Sequence, residues 1–133
     1  MNRTSRLGLV YGYLLALFLT IESLVEFASG PIIFGNLTTN VNHALIHLVL
    51  GVLGIGMVTA GRPGPYAAFV GFLLLIVGVL YFFPGPAAFL WQTLNMNDNV
   101  ALLNLVIGVV SLFVSGITRP DLHQPHKPTS GMA

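Results

Sequence analysis

Four ionisable side chains fall inside apolar stretches of this sequence, in two pairs with the same spacing. Glu22 and Glu26 are four residues apart, and so are His43 and His47. Residues at positions i and i+4 lie on one face of an α-helix, so each pair presents two polar groups side by side. Carboxylates next to imidazoles can hydrogen-bond each other, exchange protons near neutral pH, or bind a first-row metal such as zinc.

Three interpretations of this polar cluster are open. In the first, each carboxylate hydrogen-bonds an imidazole and so holds helices together in lipid. In the second, the cluster handles protons or a small solute and is open to the outside. In the third, the cluster binds a metal, with Glu22, Glu26, His43 and His47 as its ligands. A variant of this interpretation is a single pigment held by His43 or His47. The structural interpretation is favoured, and no metal or other cofactor is predicted.

The elements that must position these side chains are four long apolar segments. The chain of 133 residues is 55% hydrophobic and only 7% charged, whereas soluble domains carry roughly a quarter charged residues. Crossing a hydrocarbon core of about 30 Å takes roughly 20 apolar residues in a helix. Four segments have this length: approximately 7–28, 41–60, 65–83 and 98–117. Two loops on one side are expected around 29–40 and 84–97, and Pro84-Gly85-Pro86 is expected to end the third helix. The sequence therefore predicts one domain over 1–118, an all-α integral membrane four-helix bundle.

The basic residues indicate how the bundle is oriented. They lie before the first segment, between the second and third, and after the fourth: Arg3, Arg6, Arg62, Arg119 and Lys127. Because Lys and Arg accumulate in cytoplasmic loops, we expect both termini in the cytoplasm of a plasma membrane protein. Residues 119–133, which include His123 and His126, are predicted to form a disordered cytoplasmic tail. An alternative, in which 1–30 is a cleaved signal peptide, is disfavoured because the apolar run is long for a signal.

The first two segments form a helical hairpin, which sets the relative depth of the polar groups. Glu26 and His43 each lie near the outer end of their helix, and Glu22 and His47 lie one turn further in. We therefore expect two carboxylate–imidazole contacts, Glu26 with His43 and Glu22 with His47. The small residue Gly51 continues the histidine face, so this face should pack against other helices.

A motif in the second segment recurs in the fourth, 57 residues later. The matched positions are Asn42, His47 and Gly51 in the first copy, and Asn99, Asn104 and Gly108 in the second. The repeat predicts two tandem hairpins, at about 7–61 and 65–118, related by a pseudo-twofold axis along the membrane normal. Asn104 takes the place of His47 in the second copy, so the polar cluster is present only once.

With this hairpin repeat and the Asn-x4-His/Asn-Leu-x2-Gly motif, the chain resembles a family of small four-span bacterial membrane proteins catalogued only as a domain of unknown function. The resemblance covers roughly residues 7–117. It implies a four-helix fold in the bacterial inner membrane and no known activity.

Acidic and amide side chains also begin the fourth segment. Asp98 and Asn99 follow Asn95 and Asn97, and such side chains accept hydrogen bonds from free amides at helix N-termini. Capping is therefore the expected role of this group. As an alternative, Asp98 is a charge at the outer mouth that attracts cations.

Several classes of function are excluded by composition. The five basic residues are isolated from one another, which makes nucleic acid a poor partner. No cysteine is present, and no nucleophile–base set or phosphate-binding glycine loop is found, so an enzyme is not predicted.

We expect a structural or accessory membrane protein that contacts lipid and associates with itself or a larger complex. The alternative is a small transporter or a proton- or metal-binding protein that uses the polar cluster.

Glycines on all four segments favour the self-association hypothesis. Small residues let helix backbones approach closely in lipid. The glycines concerned are Gly8, Gly12, Gly51, Gly54, Gly71, Gly78 and Gly108. They offer more close-contact surface than two hairpins need, which leaves some for a partner.

Overall fold

The computed structural model describes residues 3–118, and most of them are helical. In chain order the elements are α1 (Arg3–Ser29), β1 (Ile32–Ile33), β2 (Leu37–Thr38), α2 (Val41–Thr59), α3 (Pro63–Leu80), α4 (Pro84–Leu94) and α5 (Asp98–Ile117). Over this part of the chain, four helices are long and apolar enough to cross a membrane: α1, α2, α3 and α5. The predicted all-α bundle is confirmed. The predicted tail, with Arg119 and Lys127, lies outside the described residues.

The two connections at one end of the bundle, here called the outer end, are more ordered than predicted. In the first, β1 pairs with β2 as an antiparallel hairpin. In the second, the Pro84-Gly85-Pro86 sequence, expected to be a helix break followed by a loop, begins α4 instead. Proline is accepted in the first turn of a helix because the amides there have no partner within the helix. The prediction of a loop over 84–97 was therefore wrong.

The core joins two helical hairpins, α1 with α2 and α3 with α5. Each pair packs closely along its length, and contacts between α1 and α3 connect the two hairpins. Tyr66 on α3 is fully buried, and its hydroxyl donates a hydrogen bond of 3.2 Å to the Leu50 carbonyl on α2. A side chain of the second hairpin thus completes the core of the first.

Glycines allow the helices of each hairpin to touch through their backbones. A Cβ atom on Gly51 would lie 2.9 Å from the Ala16 carbonyl oxygen of α1, and one on Gly108 would lie 2.8 Å from the Leu75 amide of α3. The other glycines of the predicted faces also meet neighbouring parts of this chain: Gly8, Gly12, Gly54, Gly71 and Gly78. The expectation that they leave surplus surface for a partner was wrong, because the bundle itself uses them.

Asparagine side chains begin both helices that enter from the outer end. The Asn40 carboxamide oxygen accepts a 3.0 Å hydrogen bond from the His43 amide at the start of α2. Asn97 accepts an equivalent 3.0 Å bond from the Val100 amide of α5. Capping at this end was expected, and the structure assigns it to Asn97, while Asp98 lies inside the helix.

Other asparagine contacts cross between the two hairpins. Each of four side-chain amides donates to a carbonyl in the outer connection of the opposite hairpin. The pairs are Asn40 and Asn42 with Thr93, at 2.9 and 3.1 Å, and Asn97 and Asn99 with Asn36, at 2.8 and 3.2 Å. These bonds give the motif residues Asn42 and Asn99 a structural role, which is to tie the outer connections together.

Replacing Asn97 with alanine should lower the free energy of unfolding by about 0.5–2 kcal/mol, because the α5 N-cap is lost. Thermal unfolding in a mild detergent measures this loss. Asn99→Ala is the matched control, since it loses a hydrogen bond to the same Asn36 carbonyl and keeps the cap. Equal losses in the two variants would contradict the capping role of Asn97.

Candidate functional site

The four ionisable side chains of the predicted cluster are brought together between α1 and α2 near the outer end. All are more than nine-tenths buried, with exposed fractions of 5% for Glu22, 5% for Glu26, 4% for His43 and 4% for His47. Each pair lies on one helix face because its members are four residues apart. Gly51 lets the two helices approach closely enough for the side chains to meet.

Both carboxylates converge on one imidazole nitrogen. Nδ1 of His47 lies 3.2 Å from Glu22 Oε2 and 3.5 Å from Glu26 Oε1. The expected Glu22–His47 contact is therefore confirmed. The expected contact between Glu26 and His43 is not among the ion pairs of the described residues, because the nearest imidazole nitrogen to Glu26 in such a pair is that of His47.

Helix direction explains this change of partner. Side chains on an α-helix lean toward its N-terminus. On α1 this direction leads away from the outer end, so Glu26 leans toward the level of Glu22. On the antiparallel α2 it leads toward the outer end, so His47 leans toward Glu26 while His43 leans past it. Matching residues by depth alone ignores this lean, which is why the prediction of two separate contacts failed.

His43 lies beside this group, next to the end of α4. Its ring centroid is 4.4 Å from that of His47, with the rings inclined at 64°, and Leu94 of α4 lines the cavity beside it. Its Nδ1 atom has no hydrogen-bond partner. One potential ligand atom each from Glu26, His43 and His47 forms a group in which all separations are within 4.8 Å.

Hydrogen bonding inside the cluster is incomplete. Across residues 3–118, the buried side-chain atoms without a hydrogen-bond partner are Glu26 Oε2, His43 Nδ1 and His47 Nδ1. The carboxylate oxygens near His47 Nδ1 are close in distance, but they do not lie in the direction of a hydrogen bond. An unsatisfied buried polar atom costs about 1–3 kcal/mol. Full pairing of each glutamate with a histidine, as the structural interpretation expected, is therefore not what the structure shows.

A cavity of about 90 Å³ adjoins the two histidines. Asn104, the second-hairpin counterpart of His47, lines it from α5, and Leu94 and Met96 line it from the outer connection. A space of this size accommodates water. Leu94 and Met96 were not predicted to be part of the site, since neither residue type signals a contact with a polar cluster.

Asp98 is placed apart from this cavity. Its carboxylate accepts a 2.9 Å hydrogen bond from the Tyr81 hydroxyl, at an exposed position of the outer end. Desolvation raises the pKa of Tyr81, and the hydrogen bond to Asp98 raises it further. The hydroxyl therefore remains a hydrogen-bond donor at neutral pH.

The fold and this cluster define a multi-pass membrane protein with a buried glutamate–histidine centre. Comparisons of the chain with family models, with curated proteins and with solved structures gave no match. Its function is therefore inferred from its own residues.

Proposed function

We propose that this chain is a multi-pass membrane protein that binds small cations, protons or a metal ion, at the Glu22, Glu26, His43 and His47 centre. The observation that carries the proposal is the set of three buried polar atoms in this centre that have no hydrogen-bond partner. Two of them are imidazole nitrogens and one is a carboxylate oxygen. Each can accept a proton or coordinate a metal.

The negative charge of the two carboxylates also favours a bound cation. Ionised carboxylates are costly at membrane depth unless they are neutralised, and a protonated His47 balances only one of the two. Apart from the two histidines, the residues that line the adjoining cavity in the described part of the chain carry no charge. Those from α3, α4 and α5 are Leu73, Leu74, Val77, Leu94 and Asn104. A further positive charge must therefore come from a second bound proton or from a metal ion.

We place this centre in the outer half of a bacterial plasma membrane, with both termini cytoplasmic. The distribution of basic residues supports this orientation. The tandem-repeat proposal is supported by the hydrogen-bond acceptors Asn36 and Thr93, which are 57 residues apart, as are their asparagine donors. The resemblance to the four-span family of unknown function agrees with this topology. Reversible cation binding, without a catalysed reaction, accounts for the glutamate and histidine side chains of the centre.

A structural or accessory role, alone or within a larger membrane complex, is the second candidate. It is favoured by the deep burial of the four side chains, none of which is more than 5% exposed. In that case the cluster stabilises the hairpin and does not exchange its protons.

Infrared difference spectroscopy in lipid distinguishes the two candidates. If the centre binds cations, a protonated-carboxyl signal should appear and disappear reversibly as the pH is changed, and Glu22→Gln and Glu26→Gln should each reduce it. The chain has only four acidic residues, so an Asp98→Asn, Asp121→Asn variant is a control in which the signal should persist. A folded protein whose glutamate signal does not respond to pH would support the structural role.

A further inference from the structure

The geometry of the cluster narrows the choice of cation. Four ligands held at about 2.0–2.1 Å around a tetrahedral metal lie roughly 3.3–3.4 Å from one another. The two carboxylate oxygens lie 3.2 and 3.5 Å from His47 Nδ1. Neither contact has the direction of a hydrogen bond, and both distances are close to the separation between neighbouring ligands of such an ion. Potential ligand atoms of Glu26, His43 and His47 all lie within 4.8 Å of one another.

The donor set favours a transition metal over Mg²⁺ or Ca²⁺. Those two ions prefer oxygen ligands, whereas imidazole nitrogen suits zinc and other first-row metals. Two histidines at i and i+4 on one helix face are also a zinc-binding arrangement in other proteins. His43 Nδ1 is buried and has no hydrogen-bond partner, so it is free to coordinate a metal.

Charge balance agrees with a divalent ion. Two carboxylates and two neutral imidazoles carry a net charge of about −2. One divalent cation brings this to zero, so the occupied centre is neutral at membrane depth.

We propose that the centre is a site for a divalent first-row transition metal of the zinc type, coordinated by Glu26, His43 and His47. This inference rests on the proposed cation-binding function and specifies its ligand. Coordination uses the three unpartnered atoms and leaves the fourth position of a tetrahedral ion to water. Glu22, in contact with His47 Nδ1, supplies the second negative charge beside the ion.

The test uses full-length protein purified in a mild detergent without a polyhistidine tag and stripped with a chelator. Calorimetric titration with Zn²⁺ should show one equivalent per chain, and excess Mg²⁺ or Ca²⁺ should not compete. Titration with Co²⁺ should give the intense visible absorption of a tetrahedral site. This spectrum reads the site in the unmodified chain, so it does not depend on whether any variant folds.

Variants assign the ligands. Glu26→Gln and His43→Gln should each weaken Zn²⁺ binding by at least about tenfold, with helical content checked by circular dichroism. His123 and His126 lie outside the described residues, and a His123→Gln, His126→Gln control should bind with unchanged affinity. Binding that is lost in this control, or absent from the unmodified chain, would overturn the metal site.

Metal titration and infrared spectroscopy together distinguish failure of the metal site from failure of the proposed cation-binding function. If Zn²⁺ and Co²⁺ do not bind while the glutamate infrared signal still responds to pH, the metal site is wrong and the proton-binding function stands. If neither measurement responds, both proposals are wrong.

Discussion

Replacing His47 with leucine should lower the free energy of unfolding of metal-free protein by about 3–5 kcal/mol, the usual loss when one partner of a buried ion pair is removed. The reason lies in the position of the imidazole. Its Nδ1 atom is within 3.5 Å of both buried carboxylates, so the variant leaves two acidic groups with no basic neighbour in ion-pair contact. Reversible unfolding in mixed micelles, with a chelator present, measures the loss.

His43→Leu is the matched control for this prediction. It removes an equally buried histidine on the same helix face, but one without a carboxylate in ion-pair contact among the described residues. Its loss in the absence of metal should be clearly smaller. Adding Glu22→Gln and Glu26→Gln to His47→Leu should recover part of the stability, because the unpaired charges are then removed. Equal losses for the two histidine variants would show that His47 does not stabilise the carboxylates.

Gly51→Ala should be the second large perturbation, lowering the free energy of unfolding by about 1–3 kcal/mol through overpacking. The added methyl group would contact the Thr20 hydroxyl and lie 2.9 Å from the carbonyl oxygen of Ala16. A backbone atom cannot move aside as a flexible side chain can. The two helices must therefore separate, and since Glu22 and His47 lie on these helices, metal binding should weaken as well.

Gly56→Ala on the same helix is the control, because nothing lies within 4 Å of a Cβ atom there. It should leave the free energy of unfolding unchanged or raise it by up to about 1 kcal/mol through helix propensity. Thermal unfolding of both variants in one detergent makes the comparison. A similar response at the two positions would mean that close contact between α1 and α2 does not hold the site together.

The elements of this fold could be predicted because they depend on local composition. Four apolar segments of sufficient length predict four helices wherever lipid is the solvent, since backbone groups must be satisfied within each segment. The outer connection at 84–97 could not be predicted from its prolines. A proline that is expected to end one helix is also accepted in the first turn of the next, and α4 begins at Pro84 while α3 has already ended at Leu80. Only the surroundings of a proline decide between these roles.

The residues of the candidate site could be chosen from the sequence by their cost in lipid and their i, i+4 spacing. Their contacts could not, because these depend on how two antiparallel helices lean toward each other. Spacing predicts that Glu26 and His43 lie at one depth, but the opposite lean of the two helices brings Glu26 to His47. Tertiary packing also decides that His43 Nδ1 is buried without a hydrogen-bond partner.

The sequence by itself thus determined that this is a four-helix membrane protein and which polar side chains it buries, because hydropathy and helical periodicity are local properties. Only the tertiary structure decided that three atoms of that cluster are left without a hydrogen-bond partner. Whether a buried atom is satisfied depends on directions and distances between segments far apart in the chain. No pattern within one segment contains that information.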